Sequence, residues 1–177
     1  FRNAHSLSKA NMWANTRYKT IDNGVKYRLY TGFPYLHLQL NKKNEFVASP
    51  DWYYNFEYKE ELSRGYEGHE DLFIPGFFEA SIKKGESIIF SASTSEISPN
   101  ALTKKFNSEL LKRPQKNSFE NCLKNSARQF IVQYEKHTSI IAGYPWFGQW
   151  GRDTFISLPG LTLSIDDPKS CKAVLDS

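Results

Sequence analysis

"IIFSASTSEISPNALTKKFNSELLKRP", residues 88–114, changes its period midway. Ile88, Phe90 and Ala92 alternate with polar residues, as in a half-buried strand, whereas Leu102, Phe106 and Leu110 recur every fourth residue, as in a helix. Ser98 followed by Pro99 reads as an N-cap with proline in the first turn, and Pro114 closes the run. A chain that switches in this way joins two kinds of architecture, with a boundary expected between residues 95 and 117.

Upstream, the period of two persists. Val25, Tyr27 and Leu29 alternate with polar residues, as do Leu36, Leu38 and Leu40, and Trp52, Tyr54, Phe56 and Tyr58 form a longer row. Phe78, Ala80 and Ile82 before "KKGE", with Ile88, Phe90 and Ala92 after it, predict a hairpin. Antiparallel strands with one buried face follow, and Pro34, Pro50 and Pro75 are expected at strand starts or edges. Downstream the helical period holds. Residues 118–134 predict a helix with Phe119, Cys122, Leu123, Ala127, Phe130, Ile131 and Tyr134 on one face. "TSIIAG" at 138–143 suits a short strand, and Phe155, Ile156, Leu158, Leu161 and Ile165 suit the face of a further helix that Pro159 would kink or reset. "DDPKSCKAVLDS" reads as a capped helix running to Ser177, with Asp166 and Asp167 as caps. The expected fold class is α+β.

A chain of 177 residues with 15% aromatics and a net charge of only +4 predicts packed globular structure rather than disorder. Its basic residues are scattered, and "TKKFNSELLKRPQK" at 103–116 reads as a solvated helix face, so no nucleic-acid partner is expected. Cys122 and Cys171 are far apart without CxxC spacing, which predicts neither a disulfide framework nor a zinc site. No metal is expected at "GHED", 68–71, because neighbouring strand residues face opposite ways; a solvated turn is the simpler expectation. No apolar run is long enough for a membrane span, so no membrane partner is expected. The start without Met and the helix that runs to Ser177 suggest an internal piece of a larger protein.

The chemistry concentrates in "AGYPWFGQWGRDTFISLPGL", 142–161. Gly143, Gly148 and Gly151 let backbone turn sharply or approach a ligand, Tyr144, Trp146, Phe147 and Trp150 offer flat faces, and Arg152 and Asp153 offer a fork of donors beside two acceptor oxygens. Aromatic walls with charged hydrogen bonds to hydroxyls suit a sugar. The same residues also suit a plain structural role, with the aromatics plugging a core and Arg152 pairing with Asp153.

"AGYPWFGQWGRDTFISLPGLTL" closely resembles the signature at the start of the catalytic domain of the amylo-α-1,6-glucosidase family, the bacterial and archaeal type of glycogen debranching enzyme. "GVKYRLYTGFPYLHLQL", "PDWYYNFEYKEELSRGYEGHEDLFIPGFF" and "SARQFIVQYEKHTSIIAGYPWF" resemble further stretches of that family in the same order, so the likeness covers roughly residues 10–177. It implies an antiparallel β-sandwich followed by the first helices of an (α/α)6 barrel: residues 1–97 as the end of the sandwich domain, 98–117 as a linker helix and 118–177 as the start of a truncated catalytic domain.

The resemblance also implies a cytoplasmic glycoside hydrolase of glycogen catabolism, needing no cofactor, that releases glucose from α-1,6 branch stubs of glycogen-like α-glucans. Its mechanism would be inverting, with two carboxyl groups roughly 6.5–9.5 Å apart. By the same analogy Trp146, Trp150, Arg152 and Asp153 bind the terminal glucose, while the general acid and base are expected downstream, leaving this piece able to bind but not to cleave. Gln149 departs from the acidic residue that many relatives carry there and is left as a candidate wall residue without a chemical role. A carbohydrate-binding or structural module on the same scaffold, without hydrolysis, is the alternative. Exposed barrel helices would favour self-association of the piece.

Overall fold

The alternating rows become two antiparallel sheets in the computed structural model, which describes residues 6–143 and 148–177. Strands β1 (Tyr18–Ile21), β2 (Gly24–Tyr27), β3 (Leu36–Leu40) and β6 (Phe90–Ser93) form one sheet in that spatial order. Strands β4 (Glu45–Glu57) and β5 (His69–Glu79) form a separate two-stranded ribbon, joined through the short helix α1 (Lys59–Ser63). The fold is therefore mixed α+β with antiparallel sheets.

Aromatic side chains bridge the two sheets. The Tyr27 ring on β2 lies 6.1 Å from Phe46 on β4 and 6.4 Å from Phe73 on β5, and Phe78 on β5 lies 6.2 Å from Phe90 on β6. Edge-to-face contacts of this kind add directional attraction to burial of the rings. Burial pushes the Tyr27 phenol well above its ordinary range, with the neighbouring Tyr18 adding to the shift. Buried Gln39 is engaged at both ends: its Nε2 donates to the carbonyls of Asp22 and Ile97, at 2.9 and 2.8 Å, and its Oε1 accepts from the Ile97 amide. One side chain thus ties the β1–β2 turn to the segment before α2 (Pro99–Lys112).

Two upstream expectations need correction, and a third is met in part. The "KKGE" residues do turn, with the Glu86 amide donating to the Lys83 carbonyl, but β5 pairs with β4 and β6 with β3, so no hairpin forms. Pro50 and Pro75 lie inside β4 and β5 rather than at strand starts, but both are edge strands of a two-stranded ribbon, as expected, and the prolines fall at the register shift between Ala48 and Asp51. "GHED" is no solvated turn. Glu70 and Asp71 are buried within β5, where Asp71 accepts from the amides of Ala10 and Asn55 at 2.9 and 2.8 Å. Glu70 accepts from the Ser8 amide and from the Tyr58 hydroxyl. Burying two carboxylates is tolerated because each holds backbone or hydroxyl donors.

The chain divides into two compact units, Phe1–Glu109 and Leu110–Ser177. In the second, α3 (Phe119–Phe130) is followed by a hairpin of β7 (Ile131–Tyr134) and β8 (His137–Ile140), then by α4 (Gly151–Leu161), a 3-10 turn (Leu163–Ile165) and α5 (Pro168–Leu175). Ser118 caps α3 by accepting from the Asn121 amide, and Asp167 caps α5 by accepting from Ser170, with Pro168 in the first turn. The core consists of Ile140, Leu158, Cys171 and Val174, with Phe130, Ile131 and Leu161 packed against it.

Here too the sequence reading is corrected. The expected helix over 118–134 ends at Phe130, because the β-branched pair Ile131–Val132 enters β7, which turns back at Glu135 with a positive φ of 54°. Of the face expected on α4, Leu158 is buried and Leu161 packs inward, but Phe155 and Ile156 are exposed. Pro159 neither ends nor resets α4, which carries it in its last turn.

Candidate substrate-binding site

Two core residues bracket the Gly- and Trp-rich stretch. Ile140 ends β8 on one side and Leu158 anchors α4 on the other, both nearly inaccessible to solvent. Between them the Ile141 amide donates to the Phe130 carbonyl at 2.9 Å, and the Ala142 amide to the Gly148 carbonyl at 3.1 Å. The second of these bonds closes the neck of the loop. Trp146, with Tyr144 and Phe147, lies outside the described residues.

Trp150 is the N-cap of α4 in extended conformation, its carbonyl accepting from the Thr154 amide at 2.8 Å. The Trp150 side chain makes no cap bond, so among the described residues the first amides of this helix have no side-chain acceptor. Gly151 opens the helix with no Cβ to obstruct an approach; a Cβ built there would meet nothing within 4 Å. Arg152 and Asp153 follow in the first turn, with Nε 3.8 Å from Oδ2.

The Arg152 side chain is 81% exposed and that of Asp153 43%. An ion pair this open contributes little to stability, since water screens both charges. It is also easily parted by an incoming hydroxyl. Trp150 is more than half exposed, as are Trp13, Tyr66 and Phe155 elsewhere in the chain. The carbonyl of Asp153 accepts from Ser157 Oγ at 2.7 Å, so its backbone is held one turn on.

An open cleft of about 420 Å³ adjoins this helix start. Gln149, Gly151 and Thr154 line it from the α4 side, and His137, Thr138 and Ser139 from β8. Trp150, Arg152 and Asp153 are not among its lining residues. The structure thus gathers Trp150, Arg152 and Asp153 at one helix terminus but builds no enclosed pocket around them among the described residues. Gln149, expected only as a candidate wall residue, does line this concave surface, as does Thr154, which the sequence did not single out. Thr154 carried no signal of its own beyond standing next to Asp153.

Asp166 and Asp167 stand apart as structural groups. Asp166 ends the 3-10 turn in left-handed conformation, and Asp167 accepts from the Ser170 amide and hydroxyl, which hold its carboxyl below the ordinary range. Among the described residues no group of three or more His, Cys, Asp and Glu side chains converges to hold a metal ion. Cys122 is exposed and Cys171 is buried, each as a free thiol.

Comparison with known families places these elements. Residues 1–89 match the family described as glycogen debranching enzyme N terminal, and residues 125–177 match the family described as amylo-alpha-1,6-glucosidase. No curated protein and no solved structure matches the chain.

Proposed function

Because the chain belongs to the glycogen debranching enzyme family, we propose that it contributes the glucose-holding half of an active site that hydrolyses α-1,6 branch stubs of glycogen-like α-glucans. The observation that carries this reading is the amylo-α-1,6-glucosidase match over residues 125–177, which contains the loop neck, Trp150 and the Arg152–Asp153 pair at the uncapped start of α4.

In this reading Trp146 and Trp150 wall the site, while Arg152 donates to, and Asp153 accepts from, the hydroxyls of the terminal glucose. The charged groups bind and orient; they do not transfer the proton to the leaving oxygen. An inverting hydrolysis needs one carboxylic acid to protonate that oxygen and one carboxylate to activate water on the opposite face. Those two groups belong to other parts of the parent protein. The two antiparallel sheets of residues 1–97 are the end of a β-sandwich domain, residues 98–117 a linker, and residues 118–177 the start of an (α/α)6 barrel. The exposed Phe119, Phe155 and Ile156 would then meet further helices of that barrel or, in the isolated chain, another copy. A cytoplasmic location belongs to the same proposal.

Asp153→Asn in the intact parent enzyme tests the assignment. Asn keeps the shape but loses the charge, and a charge-assisted hydrogen bond is worth about 1.5–3 kcal/mol, which corresponds to roughly 10–100-fold in kcat/KM. We expect KM to rise and kcat to fall on a branched limit dextrin, with an unchanged circular dichroism spectrum. Wild-type glucose release by that variant would remove Asp153 from the site. The 177-residue chain alone is expected to release no glucose, and any release would show that the acid and base are within it.

A further inference from the structure

The C-terminal end of α2, the connection that follows it and the outer face of α3 surround a second cleft, of about 340 Å³. That volume falls within the roughly 300–1,000 Å³ of small-molecule sites. Arg113, Lys116 and Arg128 line it, together with the amides of Asn125 and Gln129 and the side chain of Ile131. No carboxylate contributes to the lining.

The cleft is held in shape by its own residues. Asn125 is buried, and its Nδ2 donates to the Pro114 carbonyl at 2.6 Å and to the Asn121 carbonyl at 3.1 Å, fastening the connection to α3. Arg128 Nη1 donates to the Lys112 carbonyl at 3.0 Å, which both positions the guanidinium and covers a carbonyl that would repel an anion at the end of α2. The remaining guanidinium donors of Arg128 are left for another partner.

The cations of the cleft differ from Lys124 beside them. On the same helix Lys124 pairs with Glu120 at 2.8 Å, and elsewhere Lys42 pairs with Glu86 and Lys172 with Asp176. Among the described residues none of Arg113, Lys116 and Arg128 forms an ion pair with a carboxylate. The carboxylate of Asp167, which feels the field of Arg128, is already engaged by Ser170. Three cations around one concavity repel each other unless an anion enters, and two of them carry the planar fork that matches phosphate oxygens.

We infer that this cleft binds a phosphate monoester borne on a hexose. The phosphate half of the inference stands on the three cations alone; the hexose half rests on the debranching reading above. A free hexose phosphate and a phosphorylated glucose unit within an α-glucan present the same group, so they are separate arms of one test.

Isothermal titration calorimetry on the chain would use inorganic phosphate, glucose 6-phosphate, glucose, and an α-glucan before and after enzymatic dephosphorylation. The informative variant is Arg113→Gln/Lys116→Gln, since neither side chain supports the fold through a hydrogen bond or ion pair; Lys104→Gln/Lys105→Gln, on α2 outside the cleft, is its control. We expect saturable one-to-one binding of phosphate and tighter binding of glucose 6-phosphate. Affinity should fall at least about tenfold in the cleft variant, as loss of charge-assisted bonds requires, and less than about twofold in the control. Preference for glucose 6-phosphate identifies the free ester as ligand, and preference for the phosphorylated glucan identifies the polymer; either supports the site. Absence of saturation by roughly 10 mM phosphate or glucose 6-phosphate overturns it. So does equal loss of affinity in cleft and control variants, binding of glucose as tight as its phosphate, or a single-stranded RNA that binds at least about tenfold tighter than the ester, since a diffuse polyanion surface would behave in that way. Phosphate binding without any debranching activity in the parent would refute the hexose half while leaving the phosphate half intact.

Discussion

Leu158→Ala and Phe155→Ala, one turn apart on α4, are expected to differ severalfold in cost. Leu158 is 5% exposed and packs against Ile140, Cys171 and Val174, whereas Phe155 is 65% exposed. Truncating Leu158 removes three buried carbons, about 2.4 kcal/mol of transfer free energy at ~0.8 per carbon. A residual cavity of roughly 40 Å³ adds about 1 kcal/mol at ~24 cal/mol per Å³. The sum, about 3.4 kcal/mol, compares with the roughly 3.5–10 kcal/mol expected of a unit of about 70 residues at 0.05–0.15 per residue. With a urea slope of about 1 kcal/mol/M the midpoint should fall by about 3 M, and a unit at the lower end of that range would be partly unfolded before urea is added. Phe155→Ala gives up little buried area and should cost under about 1 kcal/mol. Urea unfolding followed by the amide NMR signals of residues 131–140 and 168–175 reads this unit alone. Equal costs would mean that α4 presents a different face to the core, and Arg152 and Asp153 would then be turned elsewhere as well.

Further expectations concern groups that brace the fold. Asp167→Ala removes the N-cap of α5 and should lower the stability of the second unit by about 1 kcal/mol, measured in the same urea series. Asp71→Ala frees the amides of Ala10 and Asn55, so both should exchange with deuterium faster than in the native chain while the amides of β3 do not change. The Ala10 amide first, then the Asn55 amide, holds the Asp71 carboxyl below its ordinary 3.8. Its contribution is therefore present in full above pH 3.8 and lost as pH falls below that through the lower folded-state value, which a pH series of the same exchange rates would show. Gly76→Ala places a Cβ 2.2 Å from the Val47 carbonyl at a φ of +146°, and should cost the first unit at least about 1 kcal/mol in thermal unfolding.

The parts of this architecture that follow local periods could be read directly from the sequence. Leu36, Leu38 and Leu40 do fill one strand, and the cap of α5 by Asp167 and Pro168 needs no information beyond four adjacent residues. What escaped reading depended on distant partners. The turn at Lys83–Glu86 looks like the tip of a hairpin until β3 and β4 are known to take the strands on either side. Glu70 and Asp71 look like solvated acids because their ligands, the amides of Ser8 and Ala10, lie about 60 residues away. Ile131 and Tyr134 continued the helical stripe of α3 convincingly, and only the pairing of Ile131 with Ile140 across β7–β8 overrode it. In the same way, residue types alone could not separate a sugar wall from a core plug at Trp150; its exposure at the start of α4 shows only that it is not part of the core of this unit.

That exposure has a mechanical counterpart. The loop from Ala142 to Gly148 is closed at its neck by one backbone hydrogen bond, and the two segments leaving it are fixed by Ile140 and Leu158 in a single small core. The two ends of this segment cannot separate unless that core opens, because Ile140 and Leu158 both belong to it. The uncapped N-terminus of α4 fits the same logic: a Ser or Asp at position 150 would satisfy its amides and stabilise the helix by about 1 kcal/mol, yet the chain places Trp150 there. The helix therefore gives up local stability at the end where Arg152 and Asp153 stand and recovers it through Leu158 at the other. The proposed glucose-holding role requires this distribution, with an open tip to α4 and an anchored base.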